Sequence, residues 1–187
     1  KTGKGQHVEC AQLPSSVAPL APAIFDYTAN GRVQMRAGNG LPYAAPHNAF
    51  PCKPLSESPS PPDQRWIAIG CFSEGEWKAL VQAMGSPEWA AGAKFSTLEG
   101  RKANEGELES NLSAWTADKD AYELMHDLQS RGVPAGVVQS ARELLDVDEH
   151  IKERGFYVYL DHPETGRAAY DGPPFVLSET PGELRWP

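Results

Sequence analysis

The chain has 187 residues, including 17 glycines and 17 prolines, and hydrophobic residues make up 40% of it. This length allows one domain of ordinary size with extended flanks. The formal net charge of −8 argues against nucleic-acid binding, which requires a basic face. The apolar runs are short and interrupted by proline, so we expect no membrane span and no signal peptide.

The charge is divided unevenly along the sequence. Residues 1–62 carry five Lys/Arg against three Asp/Glu, whereas residues 63–187 carry twelve against twenty-two. We therefore predict a loop-rich N-terminal arm over 1–62, a small α+β domain over 63–160, and a returning tail over 161–187.

The three cysteines are widely spaced and form no zinc pattern with the histidines. They are Cys10, Cys52 and Cys71. Free thiols of this kind are typical of a cytoplasmic protein, and we expect no metal site.

The first part of the arm combines apolar residues with prolines. His7–Cys10 is a candidate for a short strand. Over residues 13–27, Pro14 fits the first turn of a helix, whereas Pro19 and Pro22 should kink or end one. An apolar segment this irregular is expected to pack on a larger body.

The rest of the arm carries turn and linker signals. The Asn-Gly pair at 30–31 marks a turn. Residues 33–53 show little helical periodicity, and residues 54–62 are predicted to form an extended linker or an exposed loop.

The predicted domain opens with a strand and a helix. Residues 65–71 are rich in β-branched and aromatic side chains, which favours a strand. Ser73 and Glu76 form a capping box at the start of a helix. Apolar residues recur at helical spacing behind it, and Gly85 then ends the helix. The apolar positions are Trp77, Leu80, Val81 and Met84.

Two longer helices and an edge strand are expected next. The patterns predict a helix over 101–115 and another over 119–131, with Asp118 as its N-cap and Gly132 as its end. Residues 133–139 favour a short strand, and the proline within it indicates an edge position.

Short elements complete the predicted domain. Ser140 and Glu143 form a second capping box, and Asp148 caps a further helical turn. A strand is predicted over 156–160, followed by a turn over 161–166.

The sequence contains few patterns that indicate chemistry. It lacks a P-loop, a dinucleotide fingerprint and a serine nucleophile elbow. The glycine-bearing loop over 36–52 combines open backbone amides with an aromatic ring and an imidazole. Such a loop can contact a thioester or a phosphate group, or it can be a structural linker.

Short motifs, each weak by itself, occur in one order along most of the chain. They lie at 3–9, 26–32, 44–52, 65–69, 76–80, 115–116, 132–138, 154–155 and 161–163. In order and spacing they resemble the class III CoA-transferases, also called the CaiB/BaiF family.

The resemblance implies a fold and a chemistry. Members of this family transfer CoA between carboxylic acids, with an aspartate as the nucleophile that carries CoA, or they racemise α-methylacyl-CoA thioesters. They are interlocked homodimers with a large Rossmann-like domain and a small α+β domain. Acyl-CoA and a carboxylic acid are the implied substrates.

One departure from the family concerns the nucleophile. The Gly-Lys-Gly-Gln motif, here beginning at Gly3, normally follows the Rossmann strands and the catalytic aspartate. The resemblance therefore covers the linker and the small domain, and it implies that the nucleophile lies upstream. Asp26, Asp161 and Asp171 do not match its position, so we assign no catalytic residue.

The resemblance also indicates a substrate-side segment. In the family, the corresponding loop lies near the acyl group. The implied contact residues are Gly38, Asn39, Gly40, Tyr43, Ala44, Ala45, Pro46 and His47. The glycine-rich pattern of the formyl-CoA transferases is missing, so specificity for oxalate or formate is not supported.

Three hypotheses remain open at this point. The chain is a segment or truncated homologue of a class III CoA-transferase that is inactive alone, and whether it is itself an enzyme stays undecided. Alternatively, it belongs to a racemase of the α-methylacyl-CoA type. The third hypothesis is a non-catalytic CoA-binding or dimerisation module.

Overall fold

The computed structural model describes residues 3–54 and 64–187. Contacts divide the chain into two units between Leu41 and Pro42. The predicted linker over 54–62 lies, from residue 55 onward, outside the described residues. The helices are α1 (Gln12–Val17), α2 (Ala21–Asn30), α3 (Glu74–Ala83), α4 (Glu88–Ala91), α5 (Leu98–Ala103), α6 (Glu105–Thr116), α7 (Ala121–Ser130), α8 (Ala141–Asp146) and α9 (Glu149–Arg154). The strands are β1 (His47–Cys52), β2 (Arg65–Gly70), β3 (Ala135–Val137), β4 (Tyr157–His162) and β5 (Gly166–Asp171). This mixture confirms the predicted α+β class.

The N-terminal unit consists of α1 and α2, which are separated by a 3₁₀ turn over Ala18–Leu20. The prediction that prolines interrupt this helical segment is confirmed. Pro22, however, lies in the first turn of α2 and so begins a helix, because proline needs no hydrogen-bonded N–H there. Gly31 ends α2 with a left-handed φ of +67°.

Exposed residues dominate the N-terminal unit, both before its helices and within them. The predicted strand at His7–Cys10 is wrong: the segment is irregular and exposed, because an extended segment needs a neighbouring strand to complete its hydrogen bonds. Neither α1 nor α2 contains a buried residue. Large apolar side chains such as Leu13, Phe25 and Met35 are exposed.

The second unit contains an antiparallel sheet with strand order β1–β2–β3. The predicted strand over 65–71 is confirmed as β2, and the predicted edge strand over 133–139 is confirmed as the shorter β3. The glycine-bearing loop described over 36–52 is shorter than predicted, because its last six residues form β1. Pro51 occurs within β1, an edge strand, where a missing N–H is tolerated.

The pairing of strand β1 concerns the predicted boundary between the N-terminal arm (1–62) and the small domain (63–160). It pairs with β2 from His47 opposite Gly70 to Cys52 opposite Arg65. The observed division of contacts falls after Leu41 instead. The end of the predicted arm is therefore part of the same sheet as the predicted domain.

One face of this sheet packs against helices to form the core. Phe50 of β1 and Ile67 and Ile69 of β2 are almost fully buried. The helices contribute buried apolar side chains that are three or four residues apart. These are Trp77 and Leu80 of α3, Leu108 and Leu112 of α6, and Leu124 and Leu128 of α7.

Two helix boundaries differ from the predictions. The helix predicted over 101–115 is broken at Asn104, where φ is −122° and ψ is 29°. The Asn104 amide donates to the Gly100 carbonyl (2.8 Å), and such a side-chain bond competes with continuation of the helix. The N-cap of α7 is Asp120, not Asp118, and its Oδ1 accepts from the N–H groups of Tyr122 and Glu123.

The remaining local signals are confirmed. The capping boxes of Ser73 with Glu76 and of Ser140 with Glu143 both form, and Asp148 caps α9. The strand predicted over 156–160 is β4, which forms a hairpin with β5. The turn is shorter than predicted, because the ladder extends to the pair formed by His162 and Gly166.

Candidate functional site

The candidate substrate-side segment spans the division between the two units, so its two halves are described separately. Gly38, Asn39 and Gly40 belong to the N-terminal unit. Gly38 has a left-handed φ of +58°, and the Gly40 N–H donates to the Ala37 carbonyl at 3.0 Å. This half is a tight turn in which glycine is favoured by the backbone.

The other half, residues 43–47, lies in the second unit and places three consecutive buried residues between two accessible ones. Tyr43 is 60% exposed, and His47 is half-buried. Ala44, Ala45 and Pro46 are buried. The side chains that a ligand can reach from this half are therefore those of Tyr43 and His47.

Main-chain hydrogen bonds attach the buried residues to the segment that follows β2. The Ala45 N–H donates to the Cys71 carbonyl at 3.2 Å, and the Cys71 N–H donates to the Pro46 carbonyl at 2.8 Å. The Ala45–Pro46 peptide bond is cis. Burial raises the pKa of the Cys71 thiol to about 12, so this cysteine is a neutral core residue and not a nucleophile.

A buried arginine of α5 completes the attachment. Arg101 is only 1% exposed, and its Nε donates to the Ala45 carbonyl at 2.7 Å. Its Nη1 and Nη2 donate to the two carboxylate oxygens of Glu74 at 2.9 and 2.8 Å, and Nη1 also donates to the Phe95 carbonyl at 3.2 Å. The guanidinium lies 5.1 Å from the centre of the Trp77 ring.

Arg101 also affects the electrostatics of α3. Its hydrogen bonds hold the pKa of the Glu74 carboxyl below the usual range. Sequence reasoning missed this role, since arginine is normally exposed and nothing local in the sequence indicates its burial.

An aromatic pair lies at the end of β2. The rings of His47 and Phe72 meet edge to face, with centres 5.5 Å apart. A Cβ at Gly70 would lie 3.0 Å from the Phe72 ring and 3.2 Å from the His47 ring, so glycine makes room for the pair. Phe72 is 50% exposed, and its N–H donates to Glu76 Oε2 at 2.6 Å. Phe72 thus extends the accessible surface beside His47.

A second arginine–glutamate pair, buried on both sides, joins β2 to α8. Arg65 Nη1 donates to Glu143 Oε2 at 2.7 Å, and Arg65 Nη2 contacts Glu143 Oε1. The Tyr122 hydroxyl and the Ser140 N–H also donate to this carboxylate, at 2.8 and 2.9 Å. The hydrogen bond from Arg65 is the largest cause that lowers the pKa of Glu143 to about 2. This cluster links β2, α7 and α8.

A cleft of about 650 Å³ lies elsewhere in the second unit. Its charged lining consists of Lys53, Asp118, Lys119, Asp120, Glu123 and Asp127. Acidic groups outnumber lysines there, which disfavours a phosphate-bearing ligand.

Within the described ranges 3–54 and 64–187, no group of three or more potential ligands is arranged to hold a metal ion. No helix in that part of the chain is long and apolar enough to cross a membrane.

The chain belongs to CoA-transferase family III, whose model matches residues 1–187. It is 31% identical over 186 residues to the succinyl-CoA–D-citramalate CoA-transferase of Chloroflexus aurantiacus, covering 100% of this chain and 44% of that protein. It is 29% identical over 181 residues to the succinyl-CoA:mesaconate CoA-transferase of Haloarcula marismortui, covering 96% of this chain and 42% of that protein.

A solved structure confirms the fold. A CaiB/BaiF family protein from Brucella suis superposes with a TM-score of 0.76 and 28% identity, covering 100% of this chain and 46% of that one. The resemblance found in the sequence motifs is therefore confirmed. The chain spans less than half the length of these relatives.

Proposed function

We propose that this chain is the linker and small-domain part of a family III CoA-transferase that moves CoA from succinyl-CoA to a second carboxylic acid. The observation that carries the proposal is the family match over the whole chain. Two relatives whose names specify succinyl-CoA as the donor support the choice of substrate class. Because the named relatives are transferases, transfer is favoured over racemisation.

The proposed chemistry uses an aspartate supplied from outside these 187 residues. Its carboxylate attacks the thioester carbonyl, the CoA thiolate leaves, and a mixed anhydride forms. The thiolate then attacks the aspartyl carbonyl of the anhydride, which releases the first acid and leaves an aspartyl-CoA thioester. The acceptor acid runs the same steps in reverse.

In this proposal the substrate-side segment contacts the acyl-CoA. Gly38, Asn39 and Gly40 offer a tight turn with exposed main chain, and Tyr43 and His47 offer side chains that solvent reaches. The burial of Ala44, Ala45 and Pro46 favours a supporting role for these three residues, with contacts made by their neighbours.

We also propose a homodimer in which the N-terminal arms pack on the partner subunit. The exposed apolar side chains of α1 and α2, Phe25 among them, support an additional surface that covers them. Size-exclusion chromatography with light scattering is expected to give a dimer, and a monodisperse monomer would contradict this arrangement.

The transfer proposal is tested with the purified chain. It is incubated with succinyl-CoA and mesaconate or citramalate as acceptor, and products are separated by liquid chromatography. We expect no transfer above the buffer control. Transfer that disappears in Asp26→Asn, Asp161→Asn or Asp171→Asn would place the nucleophile inside the chain and refute the proposal. If the longer protein containing these residues exchanges an α-proton of an acyl-CoA for deuterium without transferring CoA, the racemase alternative is correct.

A further inference from the structure

We propose that Arg101 is a positioning residue, which fixes the main chain at Ala45 and thereby sets where Tyr43 and His47 lie. The part of this inference that concerns substrate rests on the proposed function. The part that concerns the main chain rests only on the hydrogen bonds and burial of the second unit.

The guanidinium of Arg101 binds groups in two directions. Arg101 uses Nη1 and Nη2 on the Glu74 carboxylate and Nε on the Ala45 carbonyl. The planar guanidinium serves both directions from nitrogens at separate, fixed positions, whereas the three donors of a lysine ammonium share a single nitrogen position. Because the Arg101 side chain is only 1% exposed, water does not replace a lost donor.

The position of Ala45 connects the bound main chain to both accessible side chains of the segment. Its carbonyl is bound by Arg101, and its N–H is bound by the Cys71 carbonyl. Tyr43 and His47 are two residues to either side. A displacement of the Ala45 main chain therefore moves both accessible side chains of the candidate site.

The Arg65 pair provides a comparison that separates this role from ordinary core stabilisation. Arg65 of β2 also forms a buried, two-pronged pair with a glutamate, Glu143 of α8, and this carboxylate also accepts from the Tyr122 hydroxyl of α7. Within residues 3–54 and 64–187, two Arg–Glu pairs thus contain a buried arginine, and the arginine that binds the candidate segment is Arg101. Arg65 is the matched control.

The experiment compares Arg101→Lys with Arg65→Lys in the 187-residue chain. Amide hydrogen exchange, resolved by residue with NMR, reports local opening. After correction for the change in global stability, we expect the Ala45 and Cys71 amides to exchange about tenfold faster in Arg101→Lys and at the wild-type rate in Arg65→Lys. Unchanged exchange in Arg101→Lys, or equal acceleration in both variants, would overturn the proposal.

A second variant serves if Arg101→Lys does not fold. Glu74→Gln keeps the arginine and weakens one of its anchors, and Glu143→Gln is its counterpart in the other pair. We expect the Ala45 amide to exchange about threefold faster in Glu74→Gln and at the wild-type rate in Glu143→Gln. Wild-type exchange at Ala45 in Glu74→Gln would count against the positioning role.

Activity supplies the third readout, in the longer transferase that contains these residues. We expect Arg101→Lys to lower kcat/KM about tenfold or more, because displaced contacts raise the barrier, and Arg65→Lys to stay within about twofold of wild type. Equal losses in both variants would refute a role in the reaction. If no variant, including wild type, transfers CoA, the proposed function fails while the exchange result still decides the positioning of Ala45.

Discussion

Two arginines are buried in the part of the chain that the structure describes, and they differ in what surrounds their glutamate partners. In the Arg65–Glu143 pair both side chains are buried, at 8% and 10% exposure. In the Arg101–Glu74 pair the arginine is buried at 1%, but the glutamate is 47% exposed. The first pair is a closed cluster that stabilises the fold, whereas the second links a half-solvated carboxylate to the main chain of a candidate site.

The largest expected effect is the loss of an arginine. Arg65→Met should lower the free energy of unfolding by roughly 3–5 kcal/mol, because it leaves the Glu143 carboxylate buried without its cation. Arg101→Met should lower it by about 1–3 kcal/mol, since Glu74 regains water and the loss comes from unsatisfied carbonyls. Urea denaturation measures both values. Equal losses, or the reverse order, would remove the distinction between the two pairs.

The dependence of stability on acid pH should distinguish the Arg65–Glu143 pair from the Arg101–Glu74 pair. The folded-state pKa of Glu143 is lowered to about 2, so its contribution is present above the ordinary carboxyl range and is lost as the pH falls from about 4.5 toward 2. The full contribution is on the order of 3 kcal/mol. Urea denaturation across this pH range should show a shallower acid dependence in Glu143→Gln. An unchanged dependence in that variant would contradict the assignment.

Two glycines, Gly100 in α5 and Gly106 in α6, allow a test of how firmly α5 holds Arg101 in place. A Cβ at Gly100 would lie 2.5 Å from the Lys94 carbonyl oxygen, whereas nothing lies within 4 Å of one at Gly106. Gly100→Ala should therefore destabilise the protein by about 1–3 kcal/mol and speed exchange at Ala45. Gly106→Ala in α6 should stabilise it by roughly 0.5–1 kcal/mol. Thermal unfolding distinguishes the signs, and a stabilising Gly100→Ala would show that α5 can shift freely.

The smallest effect is expected for Glu74→Gln. Its carboxylate is half-exposed, so the free energy of unfolding should change by no more than about 1 kcal/mol. The pKa of Glu74 is lowered, so what stability it adds is lost as the pH falls below its ordinary value. A loss as large as that of Glu143→Gln in urea denaturation would mean that Glu74 belongs to the core.

Local signals predicted much of the fold, and nonlocal features escaped them. The capping boxes at Ser73 and Ser140 depend on residues three apart, so the sequence shows them directly. Strand β1 contains Pro51 and is defined by pairing with β2, which no local pattern reveals. The burial of Arg65 and Arg101 depends on distant partners for the same reason.

The substrate-side role of the candidate segment stays a prediction, and the structure shows only which of its side chains are accessible. The family resemblance indicated Tyr43 and His47 among others, and these two are accessible. It could not separate them from the buried Ala44, Ala45 and Pro46, because burial depends on Cys71 and Arg101. Phe72, which extends the surface beside His47, carried no motif and was recognised only through its ring contact with His47.

The most direct test of the account is a search for CoA bound covalently to the chain. The 187-residue protein is incubated with succinyl-CoA, digested at low temperature, and its aspartate-containing peptides are mapped by mass spectrometry. We predict no CoA adduct on any aspartate of the chain, because in the proposed function the nucleophile is supplied from outside it. A CoA thioester on Asp26, Asp161, Asp171 or any other aspartate of these 187 residues would contradict that claim.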